Sequence, residues 1–72
     1  MNEDAEKIKF GKQVARLRAE KGCSQEELAL RSGINRTYMG EVERGEKSPS
    51  LIVITKIAKG LGISKKLLMD YE

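Results

Sequence analysis

Apolar residues recur along this chain at helical spacing, in short blocks separated by polar turns that carry glycine. Phe10, Val14 and Leu17 fall at i, i+4 and i+7 and predict one apolar face on a helix from about Glu6 to Lys21. Gly22 supplies a left-handed stop at no Cβ cost. Ser24-Gln25-Glu26-Glu27 then places a Ser at an N-cap with a Glu three residues on, a capping box. It opens a second, short helix that turns Leu28 and Ala29 inward and ends at Gly33. Asn35 is a good N-cap for a third helix, Arg36 to Arg44, whose inner positions are Met39 and Val42. Gly45 closes it, and Glu46-Lys47-Ser48-Pro49 forms a polar turn. Ser50 caps a fourth helix with Leu51, Ile54, Ile57, Ala58 and Leu61 as its buried stripe, stopped by Gly62. Ser64 caps a last short helix carrying Leu67, Leu68 and Tyr71. Residues 1–5, mostly polar and acidic, are expected to fray. Leu51-Ile52-Val53-Ile54 has β-branched residues, but strand alternation appears nowhere. The expected fold class is all-α, one five-helix domain over residues 1–72.

The window from Gln25 to Arg44 has the order of features that a helix-turn-helix needs. Ala29 is small where a second helix would cross the first, and Gly33 accepts a positive φ in the turn. Ile34, Met39 and Val42 then anchor the second helix to the core. Each feature alone is weak, but their sequence within so short a window is specific. A generic α-hairpin would be satisfied by simple Lys/Glu solvation on its outer face. Here Arg36, Thr37, Tyr38 and Glu41 lie on or beside the face opposite Met39 and Val42. Recognition helices touch base edges at their N-terminal ends. Arg can bond guanine O6 and N7 together, and a Thr methyl can meet that of thymine.

Composition narrows the alternatives. With 72 residues there is room for one small core, which supplies only about 3–5 kcal/mol unaided. One cysteine forms no internal disulfide, and the absence of histidine closes the usual four-ligand zinc site. Oligomerisation is the staple left, and a homodimer is expected. Ile52 points away from the stripe of its helix and, with Leu68, Met69 and Tyr71, is the expected pairing surface. The net charge of +3 is compatible with nucleic acid without proving it. No apolar run approaches the ~20 residues of a membrane span, so the cytoplasm is the default location. Enzyme chemistry is disfavoured: no metal-ligand cluster stands out, and the lone Cys23 has no His base. Buried packing is the preferred reading of Cys23. Arg18 and Glu43 both fall on inward faces, where unpaired charge is costly, so they are expected to pair with each other.

The stretch from Phe10 to about Leu68 resembles the Cro/cI-type (XRE-like) helix-turn-helix domain, with a lambda-repressor-like fold. The residues carrying the match are Phe10-Gly11, Leu17-Arg18, Gly22, Ser24-Gln25-Glu26-Glu27-Leu28-Ala29, Ser32-Gly33-Ile34, Val42-Glu43-Arg44-Gly45 and Leu61-Gly62-Ile63. Through Asn35-Arg36-Thr37-Tyr38 and the compact length, it is most similar within that family to the controller proteins of restriction–modification systems. The resemblance implies a structural salt bridge between Arg18 and Glu43, and an apolar role for position 23. It implies that Gln25 holds a phosphate, that Arg36 and Thr37 reach bases in the major groove, and that Tyr38 contacts backbone or reads groove shape. Lys47 and Ser48 would fasten the other flank to phosphates. Asn35 is counted with this DNA-binding set, whereas Glu41 is left out. The implied function is a homodimeric transcription regulator on a pseudo-palindromic operator of double-stranded DNA, without cofactor, with RNA polymerase as a further partner. The alternative is an antitoxin-type or phage-type repressor of the same fold whose main partner is a protein. Antitoxins usually need an extension for that, and none is expected here.

Overall fold

The computed structural model describes residues 3–71, and among them are five α-helices and no strand: α1 (Glu3–Glu20), α2 (Gln25–Ser32), α3 (Arg36–Glu43), α4 (Leu51–Leu61) and α5 (Lys65–Leu68). Four of the starts are set locally by side-chain caps. Ser24 Oγ accepts the Glu27 N–H at 3.0 Å while Glu27 Oε1 accepts the Ser24 N–H at 2.9 Å, so the capping box is reciprocal. That bond from the Ser24 amide is the main reason the Glu27 carboxyl lies below its ordinary pKa. Ser50 and Ser64 cap α4 and α5 through the amides of Val53 and Leu67, at 3.2 and 3.0 Å. Each such cap is worth about 1 kcal/mol, a large share of the stability of so small a domain.

α2 lies along α4, α1 crosses α3, and α2 and α3 are joined at their common corner. Every helix contributes to one core. Val14, Leu28, Met39, Val42, Ile57 and Leu68 are its largest sealed side chains. Cys23 packs into the same core from the α1–α2 turn, 6% exposed. Gln13 is buried too, a polar residue that periodicity alone does not single out. Its Nε2 donates to the carbonyls of Leu67 and Asp70, at 3.5 and 3.3 Å, and so ties the end of the chain back onto α1.

The structure departs from the sequence expectations at several points. α1 begins at Glu3, so residues 3–5 are helical and not frayed; Met1 and Asn2 lie outside the described residues. Glu3, Asp4 and Glu6 place negative charge in the first turn, where the helix dipole favours it, and Asp4 pairs with Lys7 at 3.3 Å. Leu51, expected in the buried stripe, is 83% exposed. It occupies the first position of α4, at the edge of the stripe, and burial proper begins further along at Ile57. Leu68 was expected on the pairing surface but is fully buried within its own chain, the one buried residue of α5. Tyr71 follows α5 instead of riding on it. Its ring meets Phe10 edge to face, centroids 6.4 Å apart and planes at 66°, so it is partly committed to the core as well.

The crossing of α1 and α3 depends on an absent side chain. A Cβ on Gly11 would collide with the carbonyl oxygen of Val42 and come within 2.6 Å of that of Glu43. Backbone cannot yield as a flexible side chain can. Alanine is ordinarily about 1 kcal/mol better than glycine inside a helix. At this position we expect the reverse, with Gly11→Ala costing about 1–3 kcal/mol through overpacking. Urea unfolding of the two proteins measures it, and equal midpoints would mean that the two helices separate freely.

Candidate nucleic-acid interface

Between α2 and α3 stand only Gly33, Ile34 and Asn35. Gly33 has φ 67°, the left-handed conformation that lets the chain reverse, and the Ile34 amide bonds back to the Ala29 carbonyl at 2.9 Å. Ile34 packs against the core and fixes the turn. Asn35 Oδ1 then accepts from the amides of Thr37 and Tyr38, at 2.7 and 3.2 Å. The acceptor of Asn35 is therefore occupied by the helix start. Reading an adenine edge takes an acceptor and a donor together, so what remains outward is the donor alone.

Beyond Asn35, Arg36 and Thr37 are exposed, and Tyr38 is half-buried with its side chain against the core. Gln25, Arg36, Thr37, Gly40 and Arg44 line an open cleft of about 270 Å³ between the start of α2 and the outer face of α3. Three of the expected residues, Gln25, Arg36 and Thr37, thus come together. Asn35 and Tyr38 flank the cleft without lining it. Lys47 is exposed on the α3–α4 turn, and Ser48 lines a different groove with Phe10, Pro49 and Ile54. The cleft also holds two residues that sequence reasoning passed over. Gly40 is its floor: a Cβ there would lie 3.0 Å from Arg44 Nη1 and 3.3 Å from Gln25 Oε1. In the sequence Arg44 marks the end of a helix and part of the family match, with no contact role. Yet Arg36, Gly40 and Arg44 stand at i, i+4 and i+8, one face of α3 continued into its C-cap.

Behind the cleft lies the pair that anchors it. Arg18 Nε and Nη2 donate to the two carboxylate oxygens of Glu43, at 2.8 and 3.0 Å, and Arg18 Nη1 donates to the Cys23 carbonyl at 3.0 Å. The Glu43 side chain is only 6% exposed. Its bond holds the Arg18 guanidinium above its ordinary pKa, against the opposing effect of burial. Glu43 Oε1 also accepts from Gln25 Nε2 at 3.1 Å. One N–H of the Gln25 amide is thereby fixed, and the amide carries a second that can donate to a ligand. The orientation of Gln25 at the start of α2 is thus set by Glu43 of α3, which Arg18 of α1 holds in turn.

Removing Arg18 would strand the Glu43 carboxylate in the interior. We expect Arg18→Ala to cost about 3–5 kcal/mol, the range for breaking a buried pair. Arg18→Lys keeps the charge but not the planar fork, and should recover only part of that loss. Thermal and urea unfolding of the three proteins decide the matter; an Arg18→Ala protein that melts like wild type would refute a structural role.

Comparison with known proteins agrees with the helical fold. A family model described as "Helix-turn-helix" matches residues 14–68. The control protein C.BamHI of Bacillus amyloliquefaciens is 41% identical over 66 residues, covering 90% of this chain and 82% of that protein. The control protein C.MunI of a Mycoplasma species is 41% identical over 68 residues, covering 92% of each. Among solved structures, the restriction-modification controller protein C.AhdI from Aeromonas hydrophila superposes with a TM-score of 0.87. Its sequence identity is 47%, with 89% of this chain and 97% of that chain covered.

Proposed function

Since this chain belongs to the helix-turn-helix family, we propose that it is a sequence-specific DNA-binding regulator of transcription, a homodimer of the kind that controls a restriction–modification operon. The observation that carries this reading is the cleft of Gln25, Arg36, Thr37, Gly40 and Arg44, where exposed donors converge on one face of a short helix. α3 enters the major groove by its N-terminal end. Arg36 bonds guanine through its fork, and Thr37 takes a base edge or a thymine methyl. Gln25, held by Glu43, grips a phosphate with its remaining N–H. Tyr38 braces the helix and touches the sugar-phosphate edge, and Asn35 offers a donor only. Lys47 and Ser48 extend phosphate contact to the next flank. No helix among the described residues is long and apolar enough to cross a membrane, and the cytoplasm, where the DNA is, is the proposed location.

One recognition helix reads too few base pairs to find a site in a genome, so the regulator works in pairs. Four of the six exposed large apolar side chains among the described residues lie on the C-terminal half and support a pairing surface there; Ile8 and Leu30 lie elsewhere. Leu51 is 83%, Ile52 68%, Leu67 48% and Met69 42% exposed. Ile52 and Met69 stay in the proposed surface, Leu51 and Leu67 join them, the half-buried Tyr71 remains at its edge, and the core-bound Leu68 leaves it. A two-fold axis there sets the second α3 one helical turn along the duplex, about 34–36 Å away.

Two measurements test this reading. Arg36→Ala should weaken specific binding by about 1–3 kcal/mol and relax the preference at one base pair in each half-site. Gln25→Ala should weaken binding to every sequence alike. Binding-site selection separates them, and an Arg36→Ala protein with undiminished sequence preference would remove α3 from the reading role. Ile52→Asp puts a carboxylate against its symmetry mate and should shift the protein toward monomer while weakening DNA binding. In sedimentation over a dilution series, a variant that pairs as well as wild type would exclude this surface.

A further inference from the structure

The cleft contains a charge arrangement that the proposed contacts leave unexplained. Two cationic side chains line it, Arg36 and Arg44. The second is already engaged. Arg44 Nε and Nη2 donate to the two carboxylate oxygens of Glu46, at 2.7 and 3.3 Å. Residues two apart do not face each other on a helix. They meet here because the chain turns back at Gly45, φ 76°, and the Glu46 amide bonds to the Glu41 carbonyl at 2.8 Å. That bond pins the backbone of Glu46 against the end of α3 and delivers its carboxylate to the guanidinium. A carboxylate held this way presents two oxygens to the fork much as a phosphate does.

We infer that Glu46 is a built-in competitor for the cleft, occupying the Arg44 guanidinium that a DNA phosphate would otherwise take and so setting how tightly the protein holds duplex of any sequence. The inference rests on the reading that this cleft faces DNA. Both side chains are more than half exposed, 58% for Arg44 and 52% for Glu46, so the pair is weak enough to exchange. When a phosphate displaces Glu46, the released carboxylate stays beside a row of negative charges and is repelled. Both effects oppose binding, and neither depends on base sequence. Arg44 Nη1, the nitrogen not spent on Glu46, lies over Gly40 toward Gln25, so the guanidinium already sits where a phosphate held by Gln25 would reach it. The function of Glu46 is then to set the absolute tightness of binding, leaving to Arg36 and Thr37 the difference between one sequence and another.

A double-mutant cycle on a mixed-sequence DNA duplex, long enough for two half-sites, tests this across a salt series. Glu46→Gln should tighten binding about two- to five-fold at low salt, the range of an exposed pair. Arg44→Gln should weaken it and reduce the slope of log affinity against log salt by about one. The gain from Glu46→Gln should shrink markedly in the Arg44→Gln background. An equal gain in both backgrounds would mean that Glu46 acts as bulk charge alone, and no gain would mean that it does not compete; either overturns the inference while leaving DNA binding intact. Failure of wild type to bind any duplex would overturn the inference together with the reading beneath it. Thermal melts of the same variants, expected to match wild type, check that the fold is unchanged.

Discussion

The Arg18–Glu43 pair joins residues 25 positions apart and touches every element that shapes the cleft. Arg18 belongs to α1, its third bond goes to the turn before α2, and Glu43 belongs to α3 and reaches across to Gln25 on α2. Apolar packing could hold three helices together, and a well-packed apolar substitute for a buried pair is often as stable or more so. What packing lacks is direction. Fixed bond vectors set the rotation of α3 about its own axis and the orientation of the Gln25 amide, and those two angles decide where the donors of the cleft point.

Around that node the helices approach as closely as their backbones permit. Gly11 brings α1 against the last carbonyls of α3, and Gly60 brings α4 against Ser32 at the end of α2. The hydroxyl of Ser32 is buried there without a hydrogen-bond partner among the described residues, a cost accepted for the close contact. The motif is thus held on two sides by helices that take no part in the cleft. A scaffold of this kind lets eight-residue helices, too short to persist alone in water, hold a fixed geometry.

Much of this was legible in the sequence because it is local. Ser24, Asn35, Ser50 and Ser64 announce helix starts through bonds that span two or three residues, and Gly33 announces the turn through its own backbone. The inward charges Arg18 and Glu43 were legible for a different reason: a charge on an apolar stripe calls for a partner. The errors share a cause as well. Leu51 stands at the first position of α4, before burial begins, and Leu68 is taken into the core by the way α5 folds back on α4, neither of which periodicity reports. Tyr71 could not be placed without knowing that α5 stops at Leu68 and that Phe10 waits opposite. Gln13 and Arg44 were passed over because their partners, the chain end and the returning Glu46, come into reach only through long-range packing and a backbone reversal.

The near-contact at Gly11 has a mechanical consequence. With α1 seated on the carbonyls of α3, no hinge lies between the proposed DNA-binding face and the core that carries it. Such a surface does not bend to follow its ligand. In a two-fold assembly both faces would be presented at a set separation and tilt, and a duplex whose groove spacing differs would itself have to deform. Some sequences deform at lower energy than others. Base steps that no side chain touches would then contribute to which sites are occupied, through stiffness in place of chemical contact.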